Sequence, residues 1–255
     1  MAACGASARW LEWQMTDERR KGDRGGGLHV QGGLRIRNLT VSFDPATGDL
    51  VDSSMITEVR TDTFHHWLQI AAQASDDAAD ARNAAIEAGD DDEVFNRALE
   101  REFRASMIAV AAAAFAVDAF YGSVLLHAPQ TRIDAKSRDG SIFETLKHAF
   151  SLSGERQAAL REPLRVMFRL RDRAVHPRAA WVAPTRHPVF NLLMEPRFVE
   201  YTVENAVNAQ LLARRLIWAC LQAPKREHID LAAWCEALKD SVAEPPPSAG
   251  LASPQ

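Results

Sequence analysis

The sequence predicts an all-α fold, an antiparallel helical bundle with a small N-terminal β-hairpin, and three observations carry that expectation. From Thr63 onward apolar residues recur at helical spacing through several long segments. Short polar breaks such as Gly89-Asp90-Asp91-Asp92 join those segments, and short connections favour antiparallel neighbours. Strand-like alternation is confined to residues 34–59, on either side of the turn signal Asp44-Pro45-Ala46-Thr47-Gly48. With 255 residues, 47% of them hydrophobic and 25% charged, the composition is that of one soluble globular domain with loose ends.

Residues 1–33 read as a flexible N-terminal arm, an apolar patch (Trp10, Leu11, Trp13) followed by a charged, glycine-rich run from Lys21 to Gly33. Those glycines do not fit a dinucleotide-binding fingerprint, because no strand and helix frame them. Residues 34–61 form the hairpin appendage, with a change of phase near Asn38, and residues 62–241 make the bundle. Its first helix places Phe64, Trp67, Leu68, Ala71, Ala78 and Ala85 on one face, with Asp62 or Thr63 as the cap. A second helix, capped by the Gly89–Asp92 break, runs to about Leu126 through Phe95, Phe103, Val110, Val117, Phe120 and Val124, and its alanine-rich middle lets neighbours approach closely. Helices over 141–152, 155–175, 198–221 and 228–240 follow, with Leu160, Leu164, Met167, Phe168 and Val175 as core contacts of the second of these. A polar connection at 129–140 and an irregular, proline-bearing loop at 177–196 separate them. Residues 242–255, rich in Pro, Ser and Ala, are expected to be a disordered tail.

The net charge of −4 gives no global attraction to nucleic acid, so any such binding needs a local patch. One candidate stands out. Between positions 156 and 178 there are seven arginines against two acids, Glu162 and Asp172. Arg161, Arg165, Arg169 and Arg173 recur every fourth residue and form a ridge along one helix edge. Between 75 and 93 the balance reverses, with eight acids against Arg82, and that run reads as a solvated face.

Several chemistries are excluded. The three cysteines lack metal-ligand spacing, and Cys220 and Cys235 sit among apolar residues as small buried hydrophobes of a reducing compartment. There is no Glu-x-x-His pair, P-loop, Gly-x-Ser-x-Gly elbow or Cys-x-x-Cys pair, so neither metal nor cofactor is expected. The apolar run 107–117 is too short to cross a bilayer and ends at Asp118, which points to a buried core helix, no membrane association and a cytoplasmic location. Asp118 and Tyr121 interrupt that helix and need polar partners. His65-His66 opens a helix, where adjacent side chains diverge, and serves packing.

The remaining candidate is Arg171-Asp172-Arg173-Ala174-Val175-His176-Pro177. An arginine and a histidine five positions apart are the groups that metal-free RNA cleavage needs, since imidazole exchanges protons near neutrality and guanidinium meets phosphoryl oxygens with a planar fork. Spacing alone is weak, because Arg60 and His65 repeat it. Context separates the two: Arg171 is followed by the polar Asp172, arginines flank the segment, and Pro177 halts the helix at His176.

This pattern resembles the signature of the HEPN superfamily, arginine, a polar residue, three more residues and histidine, with Val175 and Pro177 bracketing the histidine. The resemblance covers about residues 62–223, and only Arg171, Asp172 and His176 are specific to it. It implies a metal-independent endoribonuclease, a toxin or defence effector, acting as a homodimer whose two motifs meet in a cleft. On that analogy His176 assists proton transfer, Arg171 stabilises developing phosphoryl charge and Asp172 positions one of them. Arg165, Arg169, Arg173 and Arg178 would contact phosphates of the RNA. An antitoxin or other regulatory protein would be a further partner. The alternative is a non-catalytic HEPN-like helical dimer that binds a protein or nucleotide, in which Arg171 and His176 serve helix packing.

Overall fold

A computed structural model describes residues 34–59, 61–176 and 181–245, and the chain divides into two units, Met1–Arg60 and Thr61–Gln255. In the first unit, β1 (Leu34–Phe43) pairs antiparallel with β2 (Leu50–Val59). The register slips between Ile36 and Asn38, a β-bulge at the expected change of phase. Asp44 Oδ1 accepts from the Ala46 amide at 2.7 Å, and Gly48 closes the turn at φ +75°, a conformation that costs glycine nothing.

The second unit is a helical bundle: α1 (Phe64–Glu87), α2 (Asp92–His127), α3 (Arg138–Ala149), α4 (Gly154–Val175), α5 (Pro196–Glu200), α6 (Val203–Gln222) and α7 (Ile229–Leu238). A two-residue strand pair, β3 (Thr185–Arg186) and β4 (Leu193–Met194), lies between α4 and α5. Helices α1 and α2 form an antiparallel hairpin joined by a short turn, with Asp91 capping α2 by accepting from the Glu93 and Val94 amides. Ala71, Ala74, Ala78, Ala81 and Ala85 of α1 and Ala109, Ala112, Ala113 and Ala116 of α2 are buried, and such small side chains let the helices lie close. By length and composition α2 is apolar enough to cross a membrane, and 61% of its most apolar window is buried inside the bundle. Helix α6 packs on both α1 and α2, and α4 packs on α2, α3 and α6. An aromatic cluster fills one end of the core: Phe120 lies 5.4 Å from Phe64, 5.6 Å from Trp234 and 6.0 Å from Phe150, centroid to centroid.

Two polar ties hold the helices in register. Asp62 is buried and does not cap α1; it accepts from Ser123 Oγ of α2 at 2.6 Å and from Trp234 Nε1 of α7 at 3.1 Å. Thr63 takes the cap position without a side-chain hydrogen bond. At the other end Arg82 of α1, expected among solvated acids, is buried and paired with buried Glu102 of α2, its Nε 2.7 Å from Oε2. Glu204 of α6 lies 3.1 Å from the same guanidinium, and Glu102 also accepts from the Val203 amide at 3.2 Å. Burial pulls the Arg82 pKa down, but hydrogen bonds and charge from Glu102 and then Glu204 outweigh it and leave the value raised.

Four local expectations are corrected. Helix α3 starts at Arg138 because Ser137 caps it, accepting from the Gly140 amide. The segment expected as one helix over 198–221 is two, α5 and α6, divided at Tyr201, whose buried hydroxyl donates to the Leu170 carbonyl at 2.7 Å. Val175 is exposed, whereas Leu164, Met167 and Phe168 are buried as expected. The start of the tail is not disordered: Val242 is buried in the core and Arg214 Nε donates to the Ala243 carbonyl at 3.1 Å. The arm 1–33, Arg60, Arg178 and tail residues 246–255 lie outside the described residues.

Glu102→Ala leaves the buried Arg82 charge with Glu204 alone and is expected to cost about 3–5 kcal/mol. Urea unfolding followed by circular dichroism measures this, and a loss under about 1 kcal/mol would show that the pair does not hold the hairpin.

Candidate functional site

Helix α4 carries the candidate residues, and its sequence explains its limits. Ser153 caps it by accepting from the Arg156 amide, and Glu155 lies in the first turn at the positive end of the helix dipole. Pro163 removes one amide from the ladder, tolerated because Ala159, four residues earlier, is exposed and its carbonyl can meet water. At the far end the His176 amide donates to the Asp172 carbonyl at 2.9 Å, and His176 leaves the helix at ψ 56°, outside the α region that a following proline disfavours.

At about 100° per residue, positions 165, 169, 172, 173 and 176 share one face of α4. That face lines a cleft of ≈ 700 Å³ with Arg165, Arg169, Asp172, Arg173 and His176. The start of α3 adds Ser137, Arg138 and Asp139, and the segment entering α5 adds Val182, Glu195, Pro196, Arg197 and Glu200. Arg173 is ion-paired with Glu200, and Arg197 Nε lies 2.7 Å from Glu195. Arg138 Nε lies 2.7 Å from Asp118, and its guanidinium sits 4.6 Å from the Tyr121 ring, which supplies the partners those two residues of α2 needed. Arg165 lies 3.5 Å from Glu162. Arg169 makes no ion pair among the described residues.

Arg171 is elsewhere. Five residues rotate it by about 140° from His176, and it does not line the cleft. Its side chain is 16% exposed, with the guanidinium 5.0 Å from the Phe168 ring and 5.9 Å from the Phe115 ring of α2. Asp172 Oδ1 lies 2.9 Å from Arg171 Nε, yet that nitrogen has no hydrogen-bond partner. Adjacent helical residues do not face each other, so the contact is an ion pair with poor hydrogen-bond direction. The structure thus brings together Asp172, His176, Arg165, Arg169 and Arg173, and sets Arg171 against the neighbouring helix. Arg138 and Arg197 were missed in the sequence, since nothing local says which polar break folds onto α4.

The wall that contains Val182 and Glu195 continues into the β3–β4 loop, whose tip is pinned to the α1–α2 hairpin. His187 there is 1% exposed. Its Nδ1 accepts from the Val189 and Phe190 amides at 3.2 and 3.3 Å, and its ring stacks on Phe190 at 4.9 Å. Phe190 meets Phe95 edge-on at 5.0 Å, and Arg82 lies 5.6 Å from its centre. Burial, then the Arg82 charge, lower the His187 pKa against the opposing pull of Glu102 and Glu204. Among the described residues no group of three or more His, Cys, Asp or Glu could hold a metal ion.

A histidine with a lowered folded pKa takes up its proton on unfolding. Its stabilising contribution is therefore full above the unfolded value of 6.5 and is lost as the pH falls from there through the lowered folded value. His65, whose pKa burial also lowers, adds in the same direction. The urea midpoint is expected to fall between pH 7 and pH 5, with a smaller fall in His187→Gln. Equal falls in both proteins would remove His187 from the account. Compared with known proteins, the chain matches no family model, no curated protein and no solved structure.

Proposed function

We propose that the α4 cleft binds an RNA phosphodiester backbone and that His176 transfers a proton during metal-independent cleavage. One observation carries the reading: an exposed imidazole and three arginines, Arg165, Arg169 and Arg173, occupy one face of α4 in one cleft, where Arg138 and Arg197 join them from other elements. Guanidinium forks suit phosphate oxygens, and Arg169, which has no carboxylate partner among the described residues, meets a phosphate without first giving one up. Asp172, one helical turn before His176, is placed to orient an arginine or the imidazole.

The reaction is attack of a ribose 2′-hydroxyl on the adjacent phosphorus. The 2′-oxygen loses its proton, the bond from phosphorus to the 5′-oxygen breaks, and that oxygen gains a proton. Products are a 2′,3′-cyclic phosphate and a 5′-hydroxyl. One imidazole serves one of the two proton transfers. A second copy of the chain, as the HEPN resemblance implies, would bring the second His176, and an antitoxin or regulatory partner would act by covering the cleft. A cytoplasmic location fits this chemistry.

The packing of Arg171 favours a second reading, a non-catalytic helical dimer that binds a protein or nucleotide. Under either reading Arg171 acts through α4 packing on Phe168 and Phe115, so Arg171→Ala is expected to lower stability by about 0.5–3 kcal/mol. The readings divide on His176. Purified protein is expected to cleave unstructured RNA in excess chelator, and His176→Ala to lower the rate by about 10²-fold or more at unchanged melting temperature. RNA that stays intact across varied sequences with the dimeric protein, together with a harmless His176→Ala, would leave the binding reading in place.

A further inference from the structure

We infer that Trp181 is a base-stacking residue beside the α4 cleft and that it selects single-stranded RNA; this rests on the RNA reading above. Trp181 is 105% exposed, the most open large apolar side chain among the described residues. An indole left entirely in water forgoes the burial that normally accompanies so large an apolar ring. Its position is what gives the exposure meaning. The next residue, Val182, lines the cleft with His176, Arg169 and Arg173, so the Trp181 Cα lies about 3.8 Å from that of a cleft-lining residue, although Trp181 itself is not part of the lining.

Among the described residues that line the cleft, Phe168 and His176 carry the aromatic rings. Phe168 lines it but is 2% exposed, and Phe143 in the adjoining groove is 9% exposed, so both rings belong to the core. That adjoining groove, of ≈ 480 Å³, lies between α3 and α4 and shares Arg165, Ser137 and Asp139 with the cleft. It extends the arginine ridge back to Arg161, about 22 Å from His176 along the helix axis. A backbone lying on this ridge has its phosphates on the arginines and its bases directed elsewhere, and Trp181, beside the cleft, supplies a flat, open surface on which a base can rest.

Single-strand binding sites combine these two parts, a basic groove that tracks the backbone and an aromatic face that stacks a base. A duplex cannot use the second part, because its bases are already stacked on one another. Stacking is tolerant of base identity, so Trp181 sets strandedness more than sequence. The stacked base belongs to a nucleotide next to those held in the cleft, since Val182, the neighbour of Trp181, lines it with His176.

The test uses oligomers that cannot be cleaved, in excess chelator: a fluorescein-labelled 2′-O-methyl oligoadenylate of eight nucleotides, an abasic phosphodiester oligomer of the same length, and a duplex of the same length. Fluorescence anisotropy gives affinity across a salt series. The expected result is tighter binding of the oligoadenylate than of the other two by the wild-type protein. Trp181→Ala should weaken oligoadenylate by about tenfold, leave the abasic oligomer unchanged, and leave the salt slope unchanged because stacking releases no counterions. Trp181→Phe should retain most of the affinity. The stacking role falls, with the RNA reading intact, if wild type binds oligoadenylate and abasic oligomer equally and Trp181→Ala alters neither, or if it weakens both alike. If the wild-type protein binds none of the three, the RNA reading fails and takes this inference with it.

Discussion

The buried ion pair between Arg82 and Glu102 is the constraint on which the rest of the arrangement depends. Two charges taken out of water cost several kcal/mol each, and only close geometry with every hydrogen-bonding position filled offsets that cost. Here the filling comes from four separate parts of the chain. Helices α1 and α2 supply the pair, Glu204 and the Val203 amide bring the start of α6, and Phe190 brings the β3–β4 loop over the guanidinium. None of these can move far without leaving a charge unsatisfied. The pair therefore acts more as a specification of arrangement than as a source of net stability, since an apolar pair of the same volume would do as well energetically.

That arrangement reaches the candidate site through the loop. Its tip is pinned by His187 and Phe190 at the Arg82 end, while its flanks, Val182 and Glu195, wall the cleft. The other wall is α4, one helix doing two tasks by rotation. Leu164, Met167, Phe168 and Leu170 face the core, and Arg165, Arg169, Arg173 and His176 face the cleft. Tyr201 locks the two walls together. Its buried hydroxyl donates to the Leu170 carbonyl, and burial, with the neighbouring Glu200 carboxylate, pushes its pKa up to about 12, so the donor keeps its proton.

How much of this was legible in the sequence depends on whether the deciding interaction is local. The hairpin, its bulge and the alternation of helices and polar breaks were readable, because period, turn residues and caps act within a few positions. The break between α5 and α6 was not. No glycine or proline marks Tyr201-Thr202, and the hydrogen bond that holds the break comes from Leu170, 31 residues away. Arg82 was misread as one charge in an acidic run, although its helical phase with Ala71, Ala78 and Ala85 already placed it on the buried face. In the candidate motif the linear spacing of Arg171 and His176 was plain, but rotation about α4 separates them, and the arginines that do share the cleft with His176 sit three, seven and eleven residues before it. Arg138 and Arg197 arrive from elements whose approach to α4 only tertiary packing decides.

The cleft holds acids as well as arginines, and on the RNA reading those acids need an account. Glu195 and Glu200 pair with Arg197 and Arg173, and Asp139 and Asp172 add two further carboxylates, so the lining is close to neutral, in keeping with a chain of net charge −4. Exposed pairs of this kind are worth about 0–1 kcal/mol, because water and salt compete for both partners. A phosphate can therefore displace a carboxylate from a guanidinium at little cost, and until it does the carboxylate holds the long arginine side chain out over the cleft, reducing the side-chain freedom lost on binding. Arg169, which has no such partner among the described residues, is the natural first contact. Neutrality of this sort makes affinity modest and selectivity dependent on the non-ionic contact, which is the place an open indole beside the cleft would fill.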